Sequence, residues 1–299
     1  MTCAEAGTRM MHTASSMRTV ARIAELRRLV GDRRRAGERI ALVPTMGFLH
    51  EGHLHLVDEA RRRAECVVMS IFVNPLQFAP SEDLTRYPRD PEGDAAKAEA
   101  RCVDVLFTPD EPEMYPTTHR IIEVRARQLA DRWEGAVRPG HFAGVLTVVA
   151  KLFNIVQPDV TVFGQKDIQQ ATLVRALVRE LDFPLEVVIA PTVREPDGLA
   201  MSSRNSYLSP ADRAHALILS RALRAIESAF SGGESDSAAL SRNGQDVLAE
   251  VPAVRVDYLA IVDPERMEPV ERAEPGTVVA IAARVGQTRL IDNVILEAP

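Results

Sequence analysis

Two short apolar runs, residues 40–43 and 160–163, each lead through a glycine-bearing polar turn into a helical pattern. This repeated strand–turn–helix unit constrains the fold more than any other feature of the chain. Further strand-like runs near Val67, at 103–107 and at 185–189 alternate with helical stretches. Helical crossovers make neighbouring strands parallel, so the pattern predicts an α/β fold. It is a Rossmann-like doubly wound parallel sheet with helices on both faces and ligands at the carboxyl ends of its strands.

The pattern changes after Val193. An amphipathic helix is expected over 210–230, a flexible loop over 231–237, and strands over 254–261, 277–284 and 287–295, which together describe a smaller C-terminal α+β domain. The expected division is a Rossmann-like domain at 17–192 and a lid-like domain at 193–299. Residues 1–16 show no periodicity, contain Met10 and Met11, precede Met17, and lack the apolar core of a signal peptide. A disordered extension or a misplaced start is expected there.

At 299 residues, 46% hydrophobic and 26% charged, the chain can bury a sizeable core and supply two domains. No apolar run approaches the roughly 20 residues that span a bilayer, so no membrane association is expected. Cys3, Cys66 and Cys102 are odd in number and scattered. Cys66 opens the strand-like run at 66–73 and is expected to be a buried free thiol, which places the protein in a reducing, cytoplasmic compartment.

Three polar segments carry the chemistry. The first is Met46, Gly47, Phe48, Leu49, His50, Glu51, Gly52 and His53, on the turn between an expected strand and helix. Glycines admit close approach to backbone, and free N–H groups at a helix N-terminus favour anions, so the turn suits phosphates, with His50 and His53 as donors. A metal site made with His55 is the competing reading, although zinc hydrolases place two histidines four apart around a glutamate on a formed helix. The second segment, Gly164, Gln165, Lys166 and Asp167, repeats the arrangement. Only three lysines stand against 33 arginines in this chain, so the compact ammonium of Lys166 is a specific choice for a phosphate turn. The third runs from Asp197 to Met201, Ser202, Ser203, Arg204 and Asn205, whose two hydroxyls and guanidinium suit a departing pyrophosphate.

With these motifs assembled, the chain resembles the pantoate:beta-alanine ligase family, part of the nucleotidyltransferase superfamily that includes class I aminoacyl-tRNA synthetases. The resemblance runs from about Met17 to the C-terminus. It rests on Pro44-Thr45-Met46-Gly47-x-Leu49-His50-x-Gly52-His53, Phe72-Val73-Asn74-Pro75-x-Gln77-Phe78, Tyr87-Pro88-Arg89, Arg138-Pro139-x-His141-Phe142, Gly164-Gln165-Lys166-Asp167-x-x-Gln170 and Met201-Ser202-Ser203-Arg204-Asn205. The resemblance implies an enzyme that uses ATP to adenylate (R)-pantoate, releasing pyrophosphate, after which beta-alanine attacks the acyl adenylate. It further implies that Met46 to His53 line the ATP site with His53 as proton donor, and that Gly164, Gln165, Lys166 and Asp167 hold ribose and phosphates. Val193 then contacts adenine through its backbone, Ser202, Ser203 and Arg204 close over the β- and γ-phosphates, and Met201 joins the ATP-binding residues. Gln77 and Gln170 would bind pantoate, with Arg138 and His141 in a less defined role, and Asp94 is the candidate magnesium carboxylate. A homodimer is implied as well, and a hinge near Ser202 that closes one domain over ATP.

Val148, Val149 and Leu152, at helical spacing over 145–156, are expected in the core. A net charge of −6 and the absence of a basic tract argue against a nucleic-acid partner. A sibling nucleotidyltransferase would lack the Asn-Pro-x-Gln-Phe and Arg-Pro-x-His-Phe pairings. A non-catalytic module would leave three phosphate-type segments unexplained.

Overall fold

The computed structural model describes residues 16–79, 82, 84–117 and 121–298. The extension expected over 1–16 lies outside them apart from Ser16. In chain order the elements are β1 (Arg18–Val20), α1 (Ile23–Arg35), β2 (Ile40–Thr45), α2 (Glu51–Arg61), β3 (Cys66–Ile71), α3 (Pro91–Ala100) and β4 (Val105–Phe107). There follow α4 (Glu111–Met114), α5 (Glu134–Val137), α6 (His141–Val156), β5 (Val160–Gly164), α7 (Ile168–Glu180) and β6 (Glu186–Ala190). The chain continues with α8 (Pro210–Ser231), α9 (Ser237–Ala249), β7 (Val254–Val262), β8 (Val278–Val285) and β9 (Thr288–Ile295).

The chain forms two compact units. The first comprises residues up to Ala126 with Pro139–Gly164 and Leu173–Ala190; the second comprises Arg127–Arg138, Gln165–Thr172 and everything from Pro191 on. The helix α7 therefore starts in the second unit and ends in the first.

In the first unit the six strands form one sheet in the order β1-β4-β3-β2-β5-β6, and every pairing is parallel. Because β2 and β3 run together from Ile40↔Cys66 to Thr45↔Ile71 while β2 also pairs β5 at Ala41↔Val160, the chain changes direction of travel between β2 and β5. That reversal is the switch point at which doubly wound sheets bind ligands. The central strands are apolar on both faces, as parallel strands covered by helices must be: Ile40, Ala41, Leu42, Val43, Val67, Val68 and Met69 are all inaccessible to solvent.

The helix α6 is almost wholly buried, and Val148, Val149 and Leu152 lie in the core as their spacing predicts. It begins at His141, four residues before the apolar run that announces it in the sequence. Gly144 explains how α6 packs: a Cβ there would stand 2.3 Å from the carbonyl oxygen of Leu76, so only glycine lets the helix lie on the 3-10 turn Pro75–Gln77.

In the second unit β7, β8 and β9 form an antiparallel sheet. One face of this unit's core joins Ile218, Leu223 and Ile226 of α8 to Val279, Ile281 and Leu290 of the sheet. The segment expected as a flexible loop at 231–237 is instead tied down. Ser237 N donates to Glu271 O at 3.0 Å, Ala273 N to Ser235 O at 2.8 Å, and Asp236 caps α9. Among the described residues no helix is long and apolar enough to cross a membrane.

Candidate functional site

In the first unit the turn after β2 leads into α2 through two histidines that cap each other. Gly52 N donates to Nδ1 of His50 at 3.2 Å, and His50 N donates to Nδ1 of His53 at 3.3 Å. The rings lie 4.1 Å apart at 40°. The Nδ1 atom of each ring thus faces a backbone N–H group of the turn, which orients both imidazoles from the main chain. The metal reading of His50, His53 and His55 loses the Nδ1 atoms to this cap. His55 instead sits 31% exposed beside Glu59, as a helix-surface residue.

The backbone of the turn departs from the sequence expectation. The N–H groups of Phe48 and Leu49 do not stand free for phosphate: Phe48 N donates to Asp94 Oδ2 at 2.8 Å and Leu49 N to Asp94 Oδ1 at 2.6 Å. Asp94, the candidate magnesium carboxylate, is only 1% exposed. Among the described residues no group of three or more His, Cys, Asp or Glu side chains is arranged to hold a metal ion.

Beside this turn lies a buried amide cluster. Tyr115 Oη donates to Asn74 Oδ1 at 2.8 Å, and Asn74 Nδ2 donates to Gln77 Oε1 and to Gly144 O, each at 3.1 Å. With its oxygen engaged by Asn74, Gln77 directs Nε2 to the Met46 sulfur at 3.2 Å, which brings two of the predicted site residues together. The ring of His141 meets the Gln77 carbonyl at 2.8 Å from Nδ1. Gly164 ends β5 in this unit.

In the second unit Gln165, Lys166 and Asp167 form a 3-10 turn held from β9. Asn293 Nδ2 donates to the carbonyls of Gln165 and Lys166, both at 2.9 Å, while Gln165 Nε2 donates back to Asn293 Oδ1 at 3.2 Å. The neighbouring Asp292 accepts Arg194 in a fork at 2.6 and 3.0 Å. Arg194 bridges Ala200, and Met201 N donates to Val193 O at 3.0 Å. Two adjacent β9 residues thus brace both phosphate-type segments of this unit. Ser202 caps the turn Ser203–Tyr207 by accepting from Arg204 N, and Asn205 Nδ2 anchors that turn to Glu195 at 2.8 Å. The Arg213 guanidinium bonded to Glu195, aided by Asn205, holds that carboxyl below its usual range despite partial burial.

Gln170 lies half-buried in the first turn of α7. The adjacent Gln169 is buried and structural: it donates to Leu129 O and Arg132 O and accepts from Glu134 N. Its partner Glu134 belongs to a buried set. Arg289 forks to Glu134 at 2.7 and 2.7 Å and reaches Asp257 at 2.6 Å, and Tyr258 Oη donates to Glu134 at 2.9 Å.

A family model for pantoate-beta-alanine ligase matches residues 18–295. The chain belongs to the pantoate-beta-alanine ligase family. It is therefore a ligase, and its relatives agree closely. It is 55% identical over 257 residues to the pantothenate synthetase of Acidobacterium capsulatum, covering 86% of either chain. It is 51% identical over 276 residues to that of Desulfitobacterium hafniense, covering 92% of this chain and 98% of the relative. The crystal structure of pantothenate synthetase from Thermus thermophilus superposes with a TM-score of 0.90 at 51% identity, covering 94% of this chain and all of that one (100%). A Francisella tularensis pantoate-beta-alanine ligase complexed with beta-gamma ATP and beta-alanine matches with a TM-score of 0.77 at 30% identity, covering 95% and 99%.

For a chain of the pantoate-beta-alanine ligase family, the residues that sequence reasoning passed over are Asp292, Asn293, Tyr115 and Gln169. An Asp-Asn pair inside the apolar run of β9 is the one sequence signal that marks any of them, since uncompensated polar groups do not occupy buried strands.

Proposed function

We propose that this ligase joins (R)-pantoate to beta-alanine through a pantoyl adenylate, consuming ATP and releasing pyrophosphate and AMP. The observation that carries the reading is the pair of histidine rings, 4.1 Å apart and held by backbone N–H groups at the switch point of the sheet, in a chain of this family. A free carboxylate is a poor electrophile, so the work of the site is to align it with the α-phosphate and to stabilise the charge that departs. In the first unit His50 and His53 donate to phosphate oxygens, with Met46 to Gly52 shaping the turn.

Gln77 is assigned to pantoate, its amide held in place by Asn74 at the oxygen and by Met46 at Nε2. In the second unit Lys166 is the point charge for phosphate, with Gln165 and Asp167 around the ribose, and in the first unit Gly164 belongs to the same ATP-binding set. Ser202, Ser203 and Arg204 take the pyrophosphate, the Val193 backbone contacts the adenine, and Met201 belongs to the same ATP-binding set. Gln170 is the second pantoate amide. Magnesium carried on the ATP phosphates would neutralise part of their charge.

The test is (R)-pantoate-dependent exchange of labelled pyrophosphate into ATP with beta-alanine omitted. Exchange that requires pantoate supports the acyl adenylate; a folded, ATP-binding protein with no exchange overturns it in favour of a sibling nucleotidyltransferase. We further propose a cytoplasmic homodimer, in keeping with its use of ATP and with the adjacent Ile121 and Ile122, 94% and 78% exposed in a single chain. Light scattering should give twice the chain mass of 32.9 kDa.

A further inference from the structure

Asp94 sits in the first turn of α3, 1% exposed, and its two carboxylate oxygens accept separate N–H groups from Phe48 and Leu49. The segment it grips is conformationally unusual. Gly47 at φ +84° and Phe48 at φ +51° are consecutive left-handed residues, and a side-chain-bearing residue holds that conformation only when its surroundings impose it. Gly47 also makes room for the carboxylate, since a Cβ there would stand 2.9 Å from Asp94 Oδ2 and 2.9 Å from Ile71 Cγ2. Charge-assisted bonds to backbone N–H are among the stronger hydrogen bonds a protein makes. Magnesium, by contrast, retains several waters of its shell, and a carboxylate this buried has no face to offer them.

We propose that Asp94 is a positioning residue: its carboxylate fixes the Met46–Leu49 turn and so aims His50 and His53, while magnesium reaches the protein on ATP and not on this side chain. The proposal rests on the ATP-dependent reading above. It assigns to Asp94 two bonds whose loss is felt by nucleotide even when no metal is present.

The experiment uses the full chain with Asp94→Asn and Asp94→Ala. Calorimetric titration with ATP in EDTA should show affinity weakened at least ~10-fold, more for Ala than for Asn, because one or both N–H groups lose a charged acceptor. The magnesium concentration that half-saturates pyrophosphate exchange should not change. Backbone amide exchange should quicken at Phe48 and Leu49. Unchanged ATP affinity in EDTA with a shifted magnesium requirement makes Asp94 a metal ligand and overturns the proposal. Should both variants fail to fold, Gly47→Ala keeps the carboxylate but drives a methyl group against it; normal ATP affinity in that variant also overturns the proposal. If the wild-type protein does not bind ATP, the functional reading has failed, and amide protection at Phe48 and Leu49 still decides whether Asp94 holds the turn.

Discussion

Replacing Arg289 by Met should be the most destabilising single change in the second unit that removes no core volume. Arg289 and its partners Glu134 and Asp257 have side chains only 14%, 10% and 12% exposed, and one guanidinium serves both carboxylates. Burial works against the cation, but Glu134 and Asp257 outweigh it and the Arg289 pKa rises; burial and the Glu134 charge likewise push the Tyr258 hydroxyl up. Taking away the guanidinium leaves two buried anions without a counter-charge, a loss of about 3–5 kcal/mol. At roughly 2–4 °C per kcal/mol for a chain of this size, the melting temperature should fall by roughly 6–20 °C. Glu134→Gln leaves a neutral Arg289–Asp257 pair behind and should lose only about 1–3 kcal/mol. Thermal and urea unfolding of both variants at near-neutral pH measures the contrast. A fall of less than about 2 °C for Arg289→Met, or a larger fall for Glu134→Gln, would refute the charge accounting.

Lys166→Ala and His53→Ala should each lower turnover by at least ~100-fold with folding intact, as measured by pantothenate formation, because each removes a preorganised charge partner. Glu195 has a folded pKa below its unfolded value, so its bond to Arg213 stabilises the fold above about pH 4.3 and is lost as pH falls through the depressed value. The stability gap between wild type and Glu195→Gln should therefore close in acid, and a gap that persists unchanged to about pH 2 would argue against the pairing. Burial pushes the Cys66 thiol up to about 12, with Asp104 adding to the effect. Maleimide should leave Cys66 unmodified in the native protein at about pH 8, where an exposed thiol is partly ionised, and should label it on unfolding; rapid native labelling would place Cys66 outside the core.

Much of the fold was legible in the sequence because two local signals agree. Apolar runs of strand length mark β2, β3, β5 and β6, and the helical patterns between them force parallel crossovers. The C-terminal strands show equally well, with β7, β8 and β9 within one or two residues of their expected bounds. Two of the elements that escaped did so for a plain physical reason. The strand β1 is three residues with only Val20 buried, too short for any periodicity. The helix α9 buries only Leu240, Gly244 and Leu248 and hides behind a polar stretch that resembles a loop.

Residue types and their order were enough to nominate His50, His53, Lys166 and the Ser202–Arg204 segment, because chemistry that handles phosphate needs donors and cations on glycine-bearing turns. The sequence alone could not say which groups those residues lean on. Asp94 lies 46 residues from Phe48 and Asn293 lies 127 from Lys166, yet each is within hydrogen-bond distance. Such partners are chosen by how the chain closes on itself, a long-range event that leaves no periodic trace. The same holds for the orientation of the two histidine rings, which face backbone N–H groups that only the folded turn delivers, and for the strand order that puts β2 beside β5. Local propensity determined the elements and the chemistry they carry; tertiary packing decided which polar groups are spent on holding the site and which are left to work in it.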